Sequence, residues 1–493
     1  MADVVTLDTR ELSNTIGEPL RSSRAIQFSS ITADSRRVQP GGLFVALDGE
    51  QVDGHDYAEQ ARANGAVAVL GARDGIEVHD GLPYVHTSNP RYALARIAHA
   101  LRGDPTQDLI VIGVTGTNGK SSTVFLIQRI LETAGIGAAQ FGTLGYRIGD
   151  CSIDAPHTTP FAEDLAEMFA QARGAGLTHV VMEVSSHAIQ QERVASIGFN
   201  AGVFTNLTQD HLDYHETMEG YLKEKLKLFE RIDGEDAFTV ANAEDACGDR
   251  FERASTVPCY RFGGDGACRA EQMRLGPRQT EFHLVSPWGE GDIALKLLGR
   301  HNVSNTLAAI ATCGALGVPL DVIIRGVESV ESVPGRFEHI DTGQMFQVVV
   351  DYAHTEDGLR NVLNAAREVC DARVIVVFGC GGDRDRGKRP KMAHVAATLA
   401  DFAIVTSDNP RTESPEVILD EIESGLREAG KSRDQNYLVI EDREEAISRA
   451  LELAQPDDLV LIAGKGHEDY QIINQERIHF DDREVARTLL EAM

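Results

Sequence analysis

Apolar and polar residues follow one another in a way that predicts strands and helices in turn along the whole chain. In the N-terminal part, apolar runs at residues 43–47 and 66–70 are bounded by glycine and aspartate, which is typical of short strands. Further on, a buried strand is predicted over residues 109–114. Apolar residues at helical spacing then predict a helix that begins near Lys120 and ends at Gly135. Both parts are therefore predicted to be α/β domains.

The C-terminal part has the most regular alternation. Five apolar runs with helical patterns between them are predicted as strands, at residues 348–350, 374–378, 402–405, 437–440 and 459–462. This alternation indicates a parallel, doubly wound, Rossmann-like sheet. Turn-forming residues suggest boundaries near residues 103–106 and 333–335, so the predicted domains are residues 1–107, 108–335 and 336–493.

Composition narrows the possible partners. The chain has 493 residues, enough for about three domains. Its net charge of −29 disfavours binding to nucleic acid or to an anionic membrane. Seven cysteines without C-x-x-C spacing are expected to be free thiols in a reducing cytoplasm. The first residues do not resemble a signal peptide, and no apolar run is long enough to predict membrane insertion.

A glycine-rich loop between the strand at 109–114 and the following helix is the strongest chemical signal. Its backbone N–H groups and the helix N-terminus can hold phosphate, a lysine can neutralise β and γ oxygens, and a serine hydroxyl can reach Mg²⁺. The general P-loop pattern needs glycine where this chain has Val114, so the loop is a variant, and a turn that binds nothing is the alternative. The predicted ATP-binding residues here are Gly116, Thr117, Asn118, Gly119, Lys120, Ser121 and Ser122.

Three further positions in the central domain could serve a metal site. Glu183 ends a predicted strand, and His211 lies in a dense run of carboxylates and imidazoles, although a solvated strand end and a surface histidine are the alternatives. Lys225 lies in a helix that, on composition alone, is expected to be amphipathic and exposed. In the C-terminal domain, polar clusters follow four strands, where parallel sheets bind ligands. They lie at residues 351–354, 381–384, 408–411 and 464–468.

The order of these motifs resembles the Mur ligase family, the amino-acid-adding enzymes of peptidoglycan synthesis. The resemblance covers essentially the whole chain and rests on residues 116–121, 182–187, 206–213, 299–305 and 351–354. It implies three domains, which are an N-terminal uridine-binding α/β domain, a central P-loop ATPase-like parallel-sheet domain and a C-terminal Rossmann-like domain that binds the amino acid. Within the family, the chain looks most like the ligases that add the third residue of the peptide.

The resemblance implies that the nucleotide-sugar substrate is UDP-N-acetylmuramoyl-L-alanyl-D-glutamate. The residues implied to bind it are Ala33, Ser35, Glu50, Gln51, Val52, His157, Thr158, Thr159, Ser185, Gln191 and Arg193. Family members often have asparagine where this chain has His157. A ring N–H could replace the amide, but a direct contact from this position is open.

The resemblance also assigns the nucleotide and its metal. Asn302, Arg336 and Asp351 would contact ATP, and Asn305 lies in the same motif as Asn302. The implied Mg²⁺ positions, two ions in all, involve Ser121, Glu183, His211 and Lys225, with Lys225 as an N6-carboxylysine. CO₂ adds to a neutral amine and turns a cation into an anion, which can lie beside Mg²⁺.

The amino acid added is implied to be meso-2,6-diaminopimelate, with L-lysine as the alternative. The two differ by one distal carboxylate, which arginine can bind through two parallel N–H donors. Residues 408–411 resemble the family's diaminopimelate signature. The residues implied to bind the amino acid are Arg384, Asp408, Asn409, Pro410, Arg411, Gly464 and Glu468.

The implied chemistry is ligation through an acyl phosphate, with Lys120 spreading charge and His354 a candidate aid in removing the amine proton. A monomer is expected. One rival is a folylpolyglutamate synthetase, which shares the ATP core but would lack the uridine-binding domain. The other is a nucleotide-binding regulatory or structural protein whose catalysis has decayed, against which Lys120, Glu183, His211 and Lys225 argue.

Overall fold

A computed structural model describes residues 7–8, 13, 16–17, 26–49, 52–276 and 278–493. Contacts divide the chain into two compact units. The first comprises Met1–Arg261 and Ala311–Val318, and the second comprises Phe262–Ile310 and Pro319–Met493. Each unit has buried apolar cores of its own.

The first unit begins with a five-stranded sheet of order β3-β4-β5-β7-β6, in which only β6 is antiparallel to its neighbour. The strands of this region, including the short pair β1 and β2, are β1 (Leu7–Asp8), β2 (Gln27–Phe28), β3 (Ser30–Thr32), β4 (Gly42–Val45), β5 (Ala68–Gly71), β6 (Val78–His79) and β7 (Leu82–His86). Its helices are α1 (Ala58–Ala63) and α2 (Pro90–Ala100). The strands predicted near residues 43–47 and 66–70 are confirmed as β4 and β5.

An eight-stranded sheet of order β11-β10-β9-β12-β8-β13-β14-β15 follows. Its strands are β8 (Ile110–Thr115), β9 (Ala138–Gly142), β10 (Gly145–Ile148), β11 (Cys151–Ile153), β12 (His179–Glu183), β13 (Ala201–Phe204), β14 (Phe238–Asn242) and β15 (Cys259–Phe262). The helices along it are α3 (Lys120–Thr133), α4 (Ala162–Gly174), α5 (Ser186–Gln190), α6 (Leu212–His215), α7 (Met218–Glu230) and α8 (Gly248–Ala254). The predicted strand at 109–114 and the helix from Lys120 are confirmed as β8 and α3.

The second unit contains a six-stranded sheet of order β19-β20-β24-β21-β22-β23. All of its pairs are parallel except β19 with β20, which confirms the predicted doubly wound sheet. The strands are β19 (Glu338–His339), β20 (Gln347–Asp351), β21 (Val374–Phe378), β22 (Phe402–Val405), β23 (Tyr437–Val439) and β24 (Leu459–Ala463). The helices are α10 (Leu320–Glu328), α11 (Glu356–Val369), α12 (Lys388–Leu399), α13 (Pro415–Glu428), α14 (Arg443–Leu453) and α15 (Asp482–Ala492).

Two antiparallel elements of the second unit were not predicted. One is a three-stranded sheet of β16 (Arg269–Leu275), β17 (Thr280–Ser286) and β18 (Gly289–Leu295), and the other is the hairpin of β25 (Tyr470–Ile473) and β26 (Glu476–His479). Helix α9 (Arg300–Ala315) includes residues of both units. No helix in the described parts of the chain is both long and apolar enough to span a membrane.

Candidate functional site

The glycine-rich loop joins β8 to α3 and is fixed by the residues that follow β13. The Thr205 hydroxyl donates to the Asn118 carbonyl at 2.7 Å, and the Asn118 N–H donates to the Asn206 side-chain oxygen at 2.9 Å. Gly116 has φ +149°, and a Cβ there would collide with Thr205. Only glycine fits this position, so the loop keeps its backbone close to the end of the sheet, where the N-terminus of α3 favours an anion.

Two lysines converge on one carbonyl of this loop. Lys120 Nζ donates to the Gly116 carbonyl at 3.0 Å and to the Thr117 carbonyl at 2.7 Å. Lys225 Nζ donates to the same Gly116 carbonyl at 2.7 Å. The side chains predicted to hold phosphate and to carry the carbamate are therefore brought together at the loop.

Lys225 is only 1% exposed, so the expectation of an exposed helix from composition is wrong at this residue. Helix α7 buries the face that carries Tyr221, Lys225 and Phe229, which repeats at four-residue spacing, while Lys223 is exposed. Lys225 Nζ lies 4.5 Å from the Tyr221 ring centroid. Burial, together with the positive charge of Lys120, holds the pKa of Lys225 well below its ordinary value. In the part of the chain that the structure describes, no carboxylate forms an ion pair with Lys225.

Glu183 and His211, which are also predicted to bind the metal, differ in their exposure to solvent. Glu183, at the end of β12, is 1% exposed, so it is not a solvated strand end, and its Oε1 accepts from the Thr143 N–H at 2.7 Å. His211 is half-exposed with φ +53°, and its ring centroid lies 6.2 Å from that of Tyr221, one turn before Lys225. Ser121 and Ser122 are both buried in the first turn of α3.

Four of the residues implied to bind the UDP-muramoyl dipeptide, Thr159, Ser185, Gln191 and Arg193, form one cluster. The Thr159 hydroxyl donates to the Glu183 carbonyl at 2.8 Å and accepts from the Ser185 N–H at 3.1 Å. Arg193 donates to the Thr159 carbonyl at 2.9 Å and to Gln191 Oε1 at 2.6 and 3.0 Å. The fold therefore brings these predicted substrate-binding side chains together beside Glu183.

His157 lies at the edge of this cluster. Its carbonyl accepts from the Tyr146 hydroxyl, and its ring packs against Phe161 with centroids 4.8 Å apart. The Arg193 guanidinium lies over the same Phe161 ring, 4.2 Å from its centroid. Burial lowers the pKa of His157. Next to it, the Thr158 hydroxyl accepts from the Thr143 hydroxyl at 3.3 Å.

The implied uridine-binding residues lie around the loops of the N-terminal sheet. The Ala33 N–H donates to Glu163 Oε1 at 3.3 Å, and the Ser35 hydroxyl donates to Gln60 Oε1 at 2.6 Å. Val52 is exposed, while Glu50 and Gln51 lie outside the described residues. Sequence reasoning did not select Glu163, whose pKa is raised by burial.

In the second unit, the implied ATP-binding residues lie at the start of α9, just before β19 and at the end of β20. Asn302 and Asn305 are buried and 3.4 Å apart through a side-chain hydrogen bond. The Arg336 guanidinium lies over the Tyr352 ring, 4.7 Å from its centroid. Asp351 accepts from the Phe337 and Ala353 N–H groups at 2.7 and 2.8 Å. These contacts fix the segment around Arg336 against the strand end.

His354 follows the same strand and is exposed. Its Nδ1 lies 2.9 Å from the Tyr352 carbonyl, and its own carbonyl accepts from Lys388 Nζ at 2.9 Å. Within the described residues, no hydrogen bond joins the side chains of His354 and Asp351. The structure therefore gives no carboxylate–imidazole pair at this position.

The residues implied to bind the amino acid converge beyond β22 and β24. Asn409 Nδ2 donates to Glu468 Oε2 at 3.0 Å. Gly464 has φ +122°, and a Cβ there would lie 2.7 Å from Asp408 Oδ2. Burial raises the pKa of Asp408, but the cations Lys465 and Arg443 outweigh it and hold the pKa below its ordinary value. Burial instead raises the pKa of Glu468.

A buried lysine that sequence reasoning did not select joins this network. Lys465 is fully buried, and its Nζ lies 3.2 Å from Asn409 Oδ1, 3.8 Å from Asp408 Oδ1 and 3.6 Å from Glu468 Oε2. The sequence signal that could have identified Lys465 is its position within the polar run from Gly464 to Glu468. It supplies a cation to a site that contains two acids.

Two loops hold the implied carboxylate-binding arginines. Arg411 has φ +54°, and its Nη1 donates to the Gly382 carbonyl at 2.8 Å. The Gly382 N–H donates to the Asn409 carbonyl at 2.9 Å, and a Cβ at Gly382 would collide with the Pro410 carbonyl. Arg384 lies on the same loop as Gly382 and donates to the Asp383 carbonyl at 3.1 Å.

Three family models match this chain in sequence order. They are described as the Mur ligase family catalytic domain over residues 27–102, the Mur ligase middle domain over residues 114–313 and the Mur ligase glutamate ligase domain over residues 335–466. The chain belongs to the Mur ligase family, whose members are ATP-dependent, and it has the three α/β domains of that family.

Individual relatives narrow the resemblance. A protein of Geobacter metallireducens named UDP-N-acetylmuramoyl-L-alanyl-D-glutamate--2,6-diaminopimelate ligase is 44% identical over 480 residues, which cover 94% of each chain. A solved structure of a ligase with the same name is 32% identical, with a TM-score of 0.68 and 99% of each chain covered. The folylpolyglutamate synthase of Mycobacterium tuberculosis, solved with ADP and AMPPCP, shares only the fold, at 19% identity and TM-score 0.61 over 75% of this chain and 91% of that one.

Proposed function

We propose that this chain is an ATP-dependent ligase that adds meso-2,6-diaminopimelate to the D-glutamate γ-carboxylate of UDP-N-acetylmuramoyl-L-alanyl-D-glutamate. The observation that carries the proposal is the charge arrangement beyond β22. Asp408 and Glu468 lie near one another across Lys465, while Arg411 is held by the Gly382 carbonyl. Acids suit the distal ammonium of diaminopimelate, and an arginine suits its distal carboxylate. Lysine lacks that carboxylate and would leave Arg411 unmatched.

Each of the three predicted domains would bind a different ligand. Residues 1–107 would bind the uridine nucleotide, residues 108–335 ATP and the muramoyl dipeptide, and residues 336–493 the incoming amino acid. The cluster of Thr159, Ser185, Gln191 and Arg193 beside Glu183 supports a dipeptide site close to the phosphate loop.

We extend the proposal to a magnesium site near the phosphate loop. Ser121, Glu183 and His211 would hold Mg²⁺ together with a carbamate on Lys225, and these ions would supply positive charge to the transferring phosphoryl group. The observation that supports the carbamate is the environment of Lys225 itself. A buried amine with a strongly lowered pKa is more often neutral, and only the neutral amine reacts with CO₂.

The reaction would proceed in two steps. The γ-carboxylate of the D-glutamate attacks the γ-phosphorus of ATP, which forms an acyl phosphate and releases ADP. The amine of diaminopimelate then attacks the acyl carbon, and phosphate leaves as the peptide bond forms. Lys120, at the phosphate loop, would offset the negative charge that develops during phosphoryl transfer. His354 is near the proposed amino-acid site, and we retain it as a candidate acceptor of the amine proton.

A folylpolyglutamate synthetase is disfavoured because a family model matches residues 27–102, in the first domain. A catalytically inactive nucleotide-binding protein is disfavoured because the chain keeps Lys120, Glu183, His211 and Lys225. The test measures ADP release with ATP, Mg²⁺ and each substrate alone or combined. We expect rapid ADP release only when the UDP-dipeptide and meso-diaminopimelate are both present. ADP release at the same rate when one of the two substrates is omitted, or no ADP release when both are present, would contradict the proposal.

A further inference from the structure

The two loops that carry Arg384 and Arg411 share an anchor outside the proposed contact residues. Arg389, in the first turn of α12, is fully buried. Its Nη2 donates to Glu413 Oε1 at 2.9 Å, and its Nη1 donates to Glu413 Oε2 at 3.1 Å. This is a two-point charge-assisted pair, which fixes direction as well as distance. A further hydrogen bond, from Nη2 to the Gly381 carbonyl at 3.3 Å, joins Arg389 to the loop that carries Arg384.

Glu413 connects this pair to both loops. Its Oε1 accepts from the Asp383 N–H at 2.6 Å, next to Arg384. Its own N–H donates to the Pro410 carbonyl at 3.2 Å, next to Arg411. The Glu413 carboxylate therefore holds the backbone beside Arg384. The Glu413 main chain closes the turn that contains Arg411.

The backbone at these two loops requires such support. Asp383 and Arg411 both have φ +54°, in the left-handed region that non-glycine residues rarely adopt. Such conformations persist where the surrounding contacts fix them, and they are frequent at ligand sites. The Asp383 carboxylate accepts from the Thr412 N–H and hydroxyl at 3.1 and 2.9 Å, so each strained residue is tied to the opposite loop.

We propose that the Arg389–Glu413 pair is a positioning element that sets the distance between Arg384 and Arg411, and thereby the recognition of the distal carboxylate of the amino acid. This inference rests on the proposed function for the identity of that amino acid. Neither Arg389 nor Glu413 is assigned a contact with substrate. They act through the two loops that they join.

The chain offers a matched control in Glu421 of α13. Its Oε2 accepts from Arg389 Nη1 at 2.7 Å, so it is a second acid on the same guanidinium. Its other partner is Arg386, and it has no hydrogen bond to residues 381–384 or 408–411 within the described chain. Glu413→Gln and Glu421→Gln each weaken one charge pair of Arg389, but only the first changes a side chain that hydrogen-bonds to residues 381–384. The Arg386 partner of Glu421 lies two residues after Arg384.

The experiment compares Glu413→Gln, Glu421→Gln and Thr412→Val in the full-length enzyme, by steady-state kinetics and thermal unfolding. Glu413→Gln should raise the KM for meso-diaminopimelate about tenfold, with the KM for ATP changed less than about twofold. Thr412→Val, which removes an exposed tie, should move the same KM in the same direction. Glu421→Gln should lower the Tm to a similar extent as Glu413→Gln but leave the diaminopimelate KM within about twofold. Equal KM effects of the two glutamate variants, or none from either, would overturn the proposal.

A measurement that does not depend on the substrate separates this inference from the proposed function. Hydrogen–deuterium exchange should speed up in residues 381–384 and 408–412 in Glu413→Gln and stay at the wild-type rate there in Glu421→Gln. Unchanged exchange in Glu413→Gln would overturn the positioning role even if diaminopimelate is the substrate. Failure of the wild-type enzyme to use diaminopimelate, with the exchange result as expected, would overturn the proposed function and leave the anchor established.

Discussion

Among the residues that the structure describes, two buried lysines have different electrostatic settings. Lys225, near the phosphate loop, has the cation Lys120 as a neighbour on the same carbonyl and has a strongly lowered pKa. Lys465, in the proposed amino-acid site, lies within 4 Å of the carboxylates of Asp408 and Glu468. Burial alone penalises a charged amine, whereas nearby carboxylates compensate for that penalty.

The difference explains how one residue type can serve two purposes. An amine that is buried without an ion pair is available for reaction with CO₂, and we propose that Lys225 becomes an anion in this way. A buried ammonium between carboxylates instead holds a polar site together. The following experiments can separate these two roles, beginning with the largest expected effect.

Lys465→Met should destabilise the protein more than Lys225→Met. Removal of Lys465 leaves two carboxylates in a largely buried site without their cation, which should cost about 3–5 kcal/mol of unfolding free energy. Lys225→Met replaces an amine that has no ion pair among the described residues by an apolar chain of similar length, and Lys120 still donates to the Gly116 carbonyl, so the change should stay below about 1.5 kcal/mol. Urea unfolding of both variants in CO₂-depleted buffer measures the difference. A larger loss of stability in Lys225→Met than in Lys465→Met would contradict the proposed difference between the two lysines.

Lys225→Ala should lose activity by roughly 10²–10³-fold, which is typical when one preorganised electrostatic group is removed from an active site. Lys223→Ala, two residues away on the exposed face of α7, is the matched control and should retain wild-type turnover. Short carboxylic acids should restore part of the activity of Lys225→Ala because they replace the anion. In the wild type, ¹³C-labelled bicarbonate should give a carbamate resonance that Lys225→Ala lacks. Full activity of Lys225→Ala would exclude the carbamate role.

Arg411→Ala should raise the KM for meso-diaminopimelate far more than the KM for ATP. Loss of a hydrogen bond between charged groups costs about 1.5–3 kcal/mol, which corresponds to roughly ten- to hundredfold. Arg411→Lys should give an intermediate value because it keeps the charge but loses the two parallel donors. An unchanged diaminopimelate KM in Arg411→Ala would place carboxylate recognition elsewhere.

The smallest effect concerns the pH dependence of stability. The pKa of Lys225 is lowered in the folded state, so the unfolded chain binds more protons between that pKa and the ordinary value of 10.5. Stability should therefore rise with pH in this interval, by at most about 1.4 kcal/mol per pH unit from this residue. Urea unfolding in CO₂-free buffer should show a shallower slope for Lys225→Met than for the exposed control Lys223→Met. Identical slopes would contradict the lowered pKa.

The parts of this molecule that follow from local pattern could be predicted from the sequence. The apolar runs of β8 and of the parallel sheet formed by β20 to β24 are continuous because both faces of these strands are buried. The hairpin of β25 and β26 has a largely exposed second strand, and the strands β16 and β18 alternate with many polar residues, so their apolar signal is weak.

The electrostatic settings of individual residues depend on long-range contacts and could not be predicted in the same way. Helix α7 has so many charged residues that composition favours exposure, yet its packing buries Lys225. Lys465 stands inside a polar run, and only the fold brings Asp408 and Asn409 to it. The relationship of Glu413 to both Arg384 and Arg411 likewise arises from two loops that are separate in sequence.

The most direct test of the proposed function is an amino-acid panel with the purified UDP-dipeptide, with phosphate release as the signal and product mass as the check. Meso-diaminopimelate should give rapid phosphate release and a tripeptide product that carries the additional carboxylate. L-lysine, which lacks the group that Arg384 and Arg411 are proposed to bind, should give much slower release at equal concentration. Preference for L-lysine, or equal rates with both amino acids, would contradict the proposed function.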